Sequence, residues 1–343
     1  MQRLRQIPTL LLTWYRQNKR DLPWRNNPTP YEVWVSEIML QQTRVEAVKP
    51  YYERFIQELP NVWALATCEE EKLLKLWEGL GYYSRVRNMQ KTAQTLIANY
   101  DGVFPKDRER LVTLSGIGEY TAGAIASIAY QQPCSAVDGN VLRVISRLLA
   151  NPTPIANVAY RKQMAEELTA VYPNEGEACA EFTQSLFELG ALVCKPKNPN
   201  CTACPLAEIC EANRQNKQTL YPVKQEKRAK RDESVYVFVI QTPEGFCIRR
   251  RDTGVLKGMN EFPSVVSHGE GVEGALFALG IDEYREVKRQ RFTHIFTHIR
   301  WDMTCVWIRT DVAPFDAYAL DEIKESISLP TAFRQCLRIV EDV

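Results

Sequence analysis

Four cysteines, Cys194, Cys201, Cys204 and Cys210, fall close together in the pattern Cys-x6-Cys-x2-Cys-x5-Cys. Thiolates at this spacing, carried on the proline-rich stretch KPKNPNCTACPLAEIC, can converge on one metal centre. Zinc would take all four in a tetrahedron, whereas a four-iron cluster needs them spread over a wider cube. The spacing leaves both open: paired Cys-x2-Cys knuckles are typical of zinc, and only one such pair exists here. The six other cysteines (Cys68, Cys134, Cys179, Cys247, Cys305 and Cys336) are scattered through apolar or mixed stretches and read as small core residues.

Two carboxylates stand in contrasting surroundings. Glu37 lies in VWVSEIML, where apolar neighbours should desolvate it and keep it protonated near neutrality. An amphipathic helix could equally carry it at a polar edge. Asp138, in AVDGNVLRVISRLL, reads either as the N-cap of a helix over 141–149 or as a second carboxylate of a reacting site. Between them, LVTLSGIGEYTAGAIASIAY (111–130) is a helix end, a Gly-x-Gly turn and a second helix. Gly116 and Gly118 can adopt positive φ and let backbone N–H groups approach an anion such as a DNA phosphate. Glycines also join many helix pairs that bind nothing.

The elements that must hold these residues divide the chain. Residues 4–218 read as successive helices, with apolar residues at three- and four-residue spacing over 31–58, 69–77 and 85–99. Residues 219–233 combine a proline with a charge run and suit a linker. Beyond them VYVFVIQ (235–241), a TPEG turn and FCIRRR read as a hairpin. Further strands are expected at 286–299 and 301–309, with a helix at 272–279 and another at the end. At 343 residues the chain can build two or three cores. It shows no signal peptide and no apolar run long enough for a bilayer, so a soluble cytosolic protein is expected. That compartment argues against disulfides for ten cysteines. A net charge of +1 neither suggests nor opposes nucleic acid.

A resemblance gathers these pieces. LPWR (22–25), PYEVWVSEIMLQQTRVEAVKPYYERF (30–55), WEGLGYYSRVRN (77–88), the Gly-x-Gly hairpin, AVDGNV (136–141), FELGALVC (187–194) and the cysteine quartet resemble adenine DNA glycosylases of the MutY type. They occur in the family's order and cover essentially all of 1–218. The implied fold is multidomain. It has an all-α helix–hairpin–helix glycosylase domain, with a six-helix part at about 28–133 and an iron–sulfur part from 1–27 and 134–218. The linker 219–233 and a smaller α+β Nudix-like domain at 234–343 follow.

The resemblance also implies roles. Glu37 becomes the general acid that protonates adenine, and Asp138, ionised and assisted by Asn140, stabilises the sugar cation. Tyr120 supplies a hydroxyl where lyases of the endonuclease III branch carry a lysine. Gln41, Gln42 and Tyr82 meet the bases, Gly116 and Gly118 a phosphate, and Trp24, Arg25 and Gln184 the adenine pocket. The four cysteines hold one 4Fe-4S cluster, whose loop also presents Lys195 and Lys197. In the C-terminal domain the acidic Nudix box is absent, so binding is expected in place of hydrolysis.

Lesion contact falls to Phe296, Thr297 and His298, where the family has Phe-Ser-His, although His294 and His298 also read as alternating strand residues. Asn260 stands where the family usually has tryptophan. The expected activity is monofunctional removal of adenine opposite 8-oxoguanine or guanine in double-stranded DNA, by a cytoplasmic bacterial monomer working at the nucleoid. A bifunctional endonuclease III-type lyase, a silent cluster-bearing DNA binder and a zinc-ribbon regulator are the alternatives.

Overall fold

The computed structural model describes residues 2–26, 28–174, 176–225 and 229–341. The chain forms two compact units, one of Met1–Thr67 with Arg87–Glu226, the other of Cys68–Val86 with Lys227–Val343. This differs from a division in chain order, because a helix and loop from within the helical half join the C-terminal unit. Among the described residues, no helix is long and apolar enough to cross a membrane.

In the first unit the helix Pro30–Leu40 opens with a capping box: Thr29 Oγ1 accepts from Glu32 N, and the Glu32 carboxylate accepts from Thr29 N, each at 3.2 Å. Pro30 sits in the first turn, where its missing N–H costs nothing. From Val33 to Met39 every residue is buried, Glu37 included. The helix therefore has no polar edge, and that reading of Glu37 falls. The chain breaks at 41–44, where Gln42 takes a left-handed φ of 63°, and a second helix runs Val45–Glu58.

The hairpin follows the expected helix–turn–helix course. A turn after Arg108–Leu111 leads into Glu119–Ala124, which widens into a π-type turn at Ile125–Ala129. A Cβ on Gly123 would lie 2.1 Å from the Ser135 carbonyl oxygen, so only glycine lets this helix press against the backbone that leads to Asp138. Helix Gly139–Leu149 then starts with Asp138 as its N-cap, two residues ahead of the expected start. Its apolar face packs with Leu4, Ile7, Leu11, Phe182 and Leu186 in one core. Helix Glu177–Glu188 ends in a second π-type turn, Leu189–Val193, that delivers Cys194.

The second unit is built on a mixed sheet. Its central strand, Arg231–Thr242, runs parallel to Ile299–Arg309 from Arg231↔Ile299 to Gln241↔Arg309, and it begins inside the segment whose composition suits a linker. Arg285–Ile295 forms an antiparallel edge against Ile299–Arg309. The expected hairpin shrinks to two pairs, Gln241↔Phe246 and Thr242↔Gly245, and FCIRRR splits, with Arg249–Arg250 pairing instead with Asn260–Glu261. One face of the sheet buries Phe238, Ile240, Val306 and Ile308 against Ala275 and Leu276 of the helix Gly271–Phe277. The other buries Val237, Val239, Met303 and Cys305 against Phe333, Cys336 and Ile339. Strand alternation thus feeds two apolar layers.

Candidate active site

A cavity of about 900 Å³ in the first unit is lined by Trp24, Arg25, Glu37, Gln41, Gln42, Tyr120, Asp138, Asn140 and Gln184. Nine residues singled out from the sequence thus share one chamber. Glu37 is 4% exposed on its helix. Tyr120, in the first turn of Glu119–Ala124, donates its hydroxyl to Glu37 Oε2. Asp138 accepts from Val141 N at 2.7 Å through Oδ1 and from Asn140 Nδ2 at 2.7 Å through Oδ2. It is an N-cap and a cavity wall at once, so the two readings of this residue are compatible.

Burial pushes Glu37 up to about 7; the Tyr120 hydroxyl opposes that rise, the Asp138 charge adds to it, and Arg25 opposes it. Burial also raises Asp138, against the pull of the Val141 and Asn140 N–H groups and of Arg143. Tyr120 is raised well above the ordinary tyrosine range, by burial first and then by Glu37 and Asp138, so it is a hydroxyl at neutral pH. The Asp138 charge thus opposes ionisation of Glu37. Asp138 holds the bonds that favour a carboxylate, and Glu37 is left to keep the proton.

The pocket wall contains an ion cluster that the sequence did not announce. Glu188, fully buried, receives Arg20 through two nitrogens (2.9 and 2.8 Å) and Arg25 at 2.7 Å. Burial alone would raise Glu188, yet the two guanidinium groups hold it below its ordinary value. This ties the 20–25 segment to helix Glu177–Glu188, while Tyr15 donates to Gln184 Oε1 at 2.6 Å. Trp24 packs edge-on against Tyr52 at 5.3 Å. The usable signal was a lone glutamate in the apolar run LFELGALV, the same signal that marks Glu37.

The four cysteines border one small apolar cavity with Val144, Leu148, Leu189 and Leu206. Arg147, 2% exposed, donates to Cys194 Sγ at 3.3 Å and to the carbonyls of Lys195, Pro196, Gln218 and Tyr221. One turn earlier, Arg143 donates to Asn140 Oδ1 (2.9 Å), Gly190 O (2.9 Å) and Cys194 O (2.8 Å). Hydrogen bonds thus run from Asp138 through Asn140 and Arg143 to the first cysteine. Among the described residues no three ligating side chains converge tightly enough for a single ion. Lys195 and Lys197 are exposed on the loop. Of the scattered cysteines, Cys179, Cys247, Cys305 and Cys336 are buried, but Cys68 and Cys134 are only half-buried and are not core residues.

The glycines divide. Gly116 has φ +77°, and a Cβ there would lie 2.8 Å from Asn88 Cβ; Gly118 is extended at φ −91° and caps the next helix with open space around its Cα. Positive φ at both positions is therefore corrected to Gly116 alone. Tyr82 belongs to the second unit, 47% exposed and left-handed at φ 48° between Gly81 and Tyr83. Left-handed backbone in a tyrosine or glutamine costs of order 1–3 kcal/mol and collects at working sites; Gln42 and Tyr82 share it. The Tyr82 hydroxyl lies 3.2 Å from Thr297 Oγ1. Phe296, Thr297 and His298 form the turn between the strands Arg285–Ile295 and Ile299–Arg309. His298 is therefore not a strand residue, and the alternating reading of His294 and His298 fails. Phe296 is edge-on to His294 (4.6 Å) and Trp301 (4.8 Å), while Thr297 and His298 are exposed.

Hairpin, N-capping aspartate and cavity point to the helix–hairpin–helix base-excision class: residues 35–171 match the HhH-GPD superfamily of base excision DNA repair proteins, and 236–338 match a NUDIX domain. The chain belongs to the adenine DNA glycosylases, a family of DNA-repair enzymes. It is 37% identical to the adenine DNA glycosylase of Arabidopsis thaliana (84% of this chain, 55% of the relative), 34% to that of Mus musculus (89% and 70%) and 32% to that of Buchnera aphidicola from Baizongia pistaciae (87% and 84%). Among solved structures it is similar to a thermostable thymine-DNA glycosylase, with TM-score 0.57 and 25% identity over 62% of this chain and 98% of that one. An endonuclease III–DNA complex shares the fold, with TM-score 0.52 and 24% identity over 62% and 97%.

Proposed function

We propose that this enzyme hydrolyses the N-glycosidic bond of adenine opposite 8-oxoguanine or guanine in double-stranded DNA, without cutting the strand. The observation that carries the reading is the pairing, in one cavity, of a glutamic acid that keeps its proton to about 7 with an N-capping aspartate. A base extruded from the stack would enter this chamber. Glu37 then gives its proton to a ring nitrogen of adenine, and the base leaves neutral with the bonding electrons. The positive charge left on the sugar faces the Asp138 carboxylate, which stabilises it electrostatically or by a transient bond. Water adds to C1′ and returns a proton to Glu37. Tyr120 holds the Glu37 carboxyl in place. A lyase needs an amine at the sugar, and the described residues lining the cavity include no lysine.

Four thiols lining one small apolar cavity fit a four-iron cluster. Cys194, Cys201, Cys204 and Cys210 would hold it, and when bound it supplies thiolate cross-linking of the loop and no electron to a hydrolysis. The loop's Lys195 and Lys197 suit DNA phosphates.

The test is a duplex carrying A:8-oxoguanine, incubated with enzyme and analysed with and without alkali. Adenine release with strand breaks only after alkali is expected. Breaks without alkali would favour the endonuclease III reading, and no release would end the proposal.

A further inference from the structure

Thr297 and Asn260 lie far apart in the C-terminal sequence, yet both touch the same segment, 68–86. Thr297 meets Tyr82, and Asn260 Nδ2 donates to Glu71 Oε1 at 2.7 Å. Glu71 Oε1 also accepts from Ser328 N at 2.8 Å. Around it the helix Glu70–Leu76 is fastened further. Lys75 Nζ donates to the Lys324 and Ile327 carbonyls at 2.7 and 2.9 Å, and buried Glu78 pairs with Lys75 at 2.9 Å and accepts from Leu329 N at 3.2 Å. Arg250 lies 3.9 Å from Glu71 Oε2 in an exposed pairing that contributes little. Glu71 is thus one oxygen joining three separate stretches of chain. The helix it sits on leads directly into the loop of Tyr82.

We propose that Glu71, acting through Asn260, is a positioning residue for discrimination of the base opposite adenine. It sets the register of the Tyr82 loop against the Phe296–His298 turn, so that the stacking residue and the lesion-facing hydroxyl address the same base pair. This rests on the reading that the enzyme excises adenine opposite 8-oxoguanine. A charged acceptor for two N–H groups is stronger than a neutral one, and its loss leaves both donors unmatched.

Single-turnover adenine release from A:8-oxoguanine and A:G duplexes tests it. Glu71→Ala and Asn260→Ala should each lower the 8-oxoguanine-to-guanine rate ratio about tenfold, with release from A:G changed less than about twofold. Glu71→Gln keeps an oxygen acceptor and should keep the ratio. The double alanine variant should lose no more than Glu71→Ala alone, because that variant has already removed the Asn260–Glu71 bond. An unchanged ratio in Glu71→Ala, an equal fall on both duplexes, or no rescue by Glu71→Gln overturns the assignment. Equal wild-type rates on both duplexes overturn it while adenine excision stands; no wild-type release on either removes the functional reading and this one together.

Discussion

Glu37 carries two burdens that pull against each other. As the proposed acid for adenine it must be buried, and burial of a carboxyl opposes folding once pH allows ionisation. Its pKa is about 7 in the fold against 4.5 ordinarily. The folded value is the higher, so the cost is absent below 4.5, grows between the two values and is complete above 7, at roughly 3 kcal/mol. Glu37→Gln should therefore raise stability in denaturant unfolding at pH 8, with a gain that shrinks towards pH 4.5. The same variant should lose adenine release while duplex binding persists, and wild-type release should fall as pH rises through about 7. Full activity in Glu37→Gln, or a stability gain independent of pH, would remove the acid from its role. At this scale the sequence was informative, since a glutamate among apolar residues is buried and an aspartate ahead of a helix caps it. Arg20, Glu188, Arg143 and Arg147 escaped because their partners lie far along the chain, and no local pattern reports a contact between residue 20 and residue 188.

At the scale of elements, the hairpin separates conformational need from open space. Gly116→Ala meets both a left-handed φ and Asn88, so it should destabilise by about 1–2 kcal/mol or more. Gly118→Ala meets neither; stability should fall by about 0.5–1 kcal/mol, the difference between glycine and alanine at an N-cap, while duplex affinity falls because the methyl fills the space a phosphate would use. Thermal unfolding with fluorescence anisotropy on labelled duplex separates the two, and equal affinity in Gly118→Ala and wild type would sink the phosphate reading. Helices were legible because their apolar spacing is local. The left-handed backbone at Gln42 was not, since no glycine or proline announces it. The sheet was harder still: Arg231–Thr242 pairs in parallel with Ile299–Arg309, far along the chain, and a hairpin was the local guess.

At the scale of the whole molecule, Arg147 links the cysteine loop to the end of the helical half, with acceptors from Cys194 to Tyr221. Arg147→Ala leaves several carbonyls unmatched, and with the proposed four-iron cluster in place the expected result is lowered iron content, weakened visible absorbance and a lower melting temperature. A variant with full iron and unchanged melting would show the loop to be held by its metal alone. The order of motifs along the chain made the two-part architecture readable. The helix that crosses to the second unit was not, because Glu71, Lys75 and Glu78 look like an ordinary solvated helix face.

That crossing changes how the protein can be taken apart. Cutting the chain near residue 226 severs one compact unit and leaves the other whole, because Cys68–Val86 stays on the N-terminal fragment while its partners leave. The shortened protein would bare Glu78, now 7% exposed, and strip Lys75 of two carbonyl acceptors. A protease nick there should yield two pieces that travel together on a sizing column, whereas a gene ending there should give a protein that is harder to express than either half suggests.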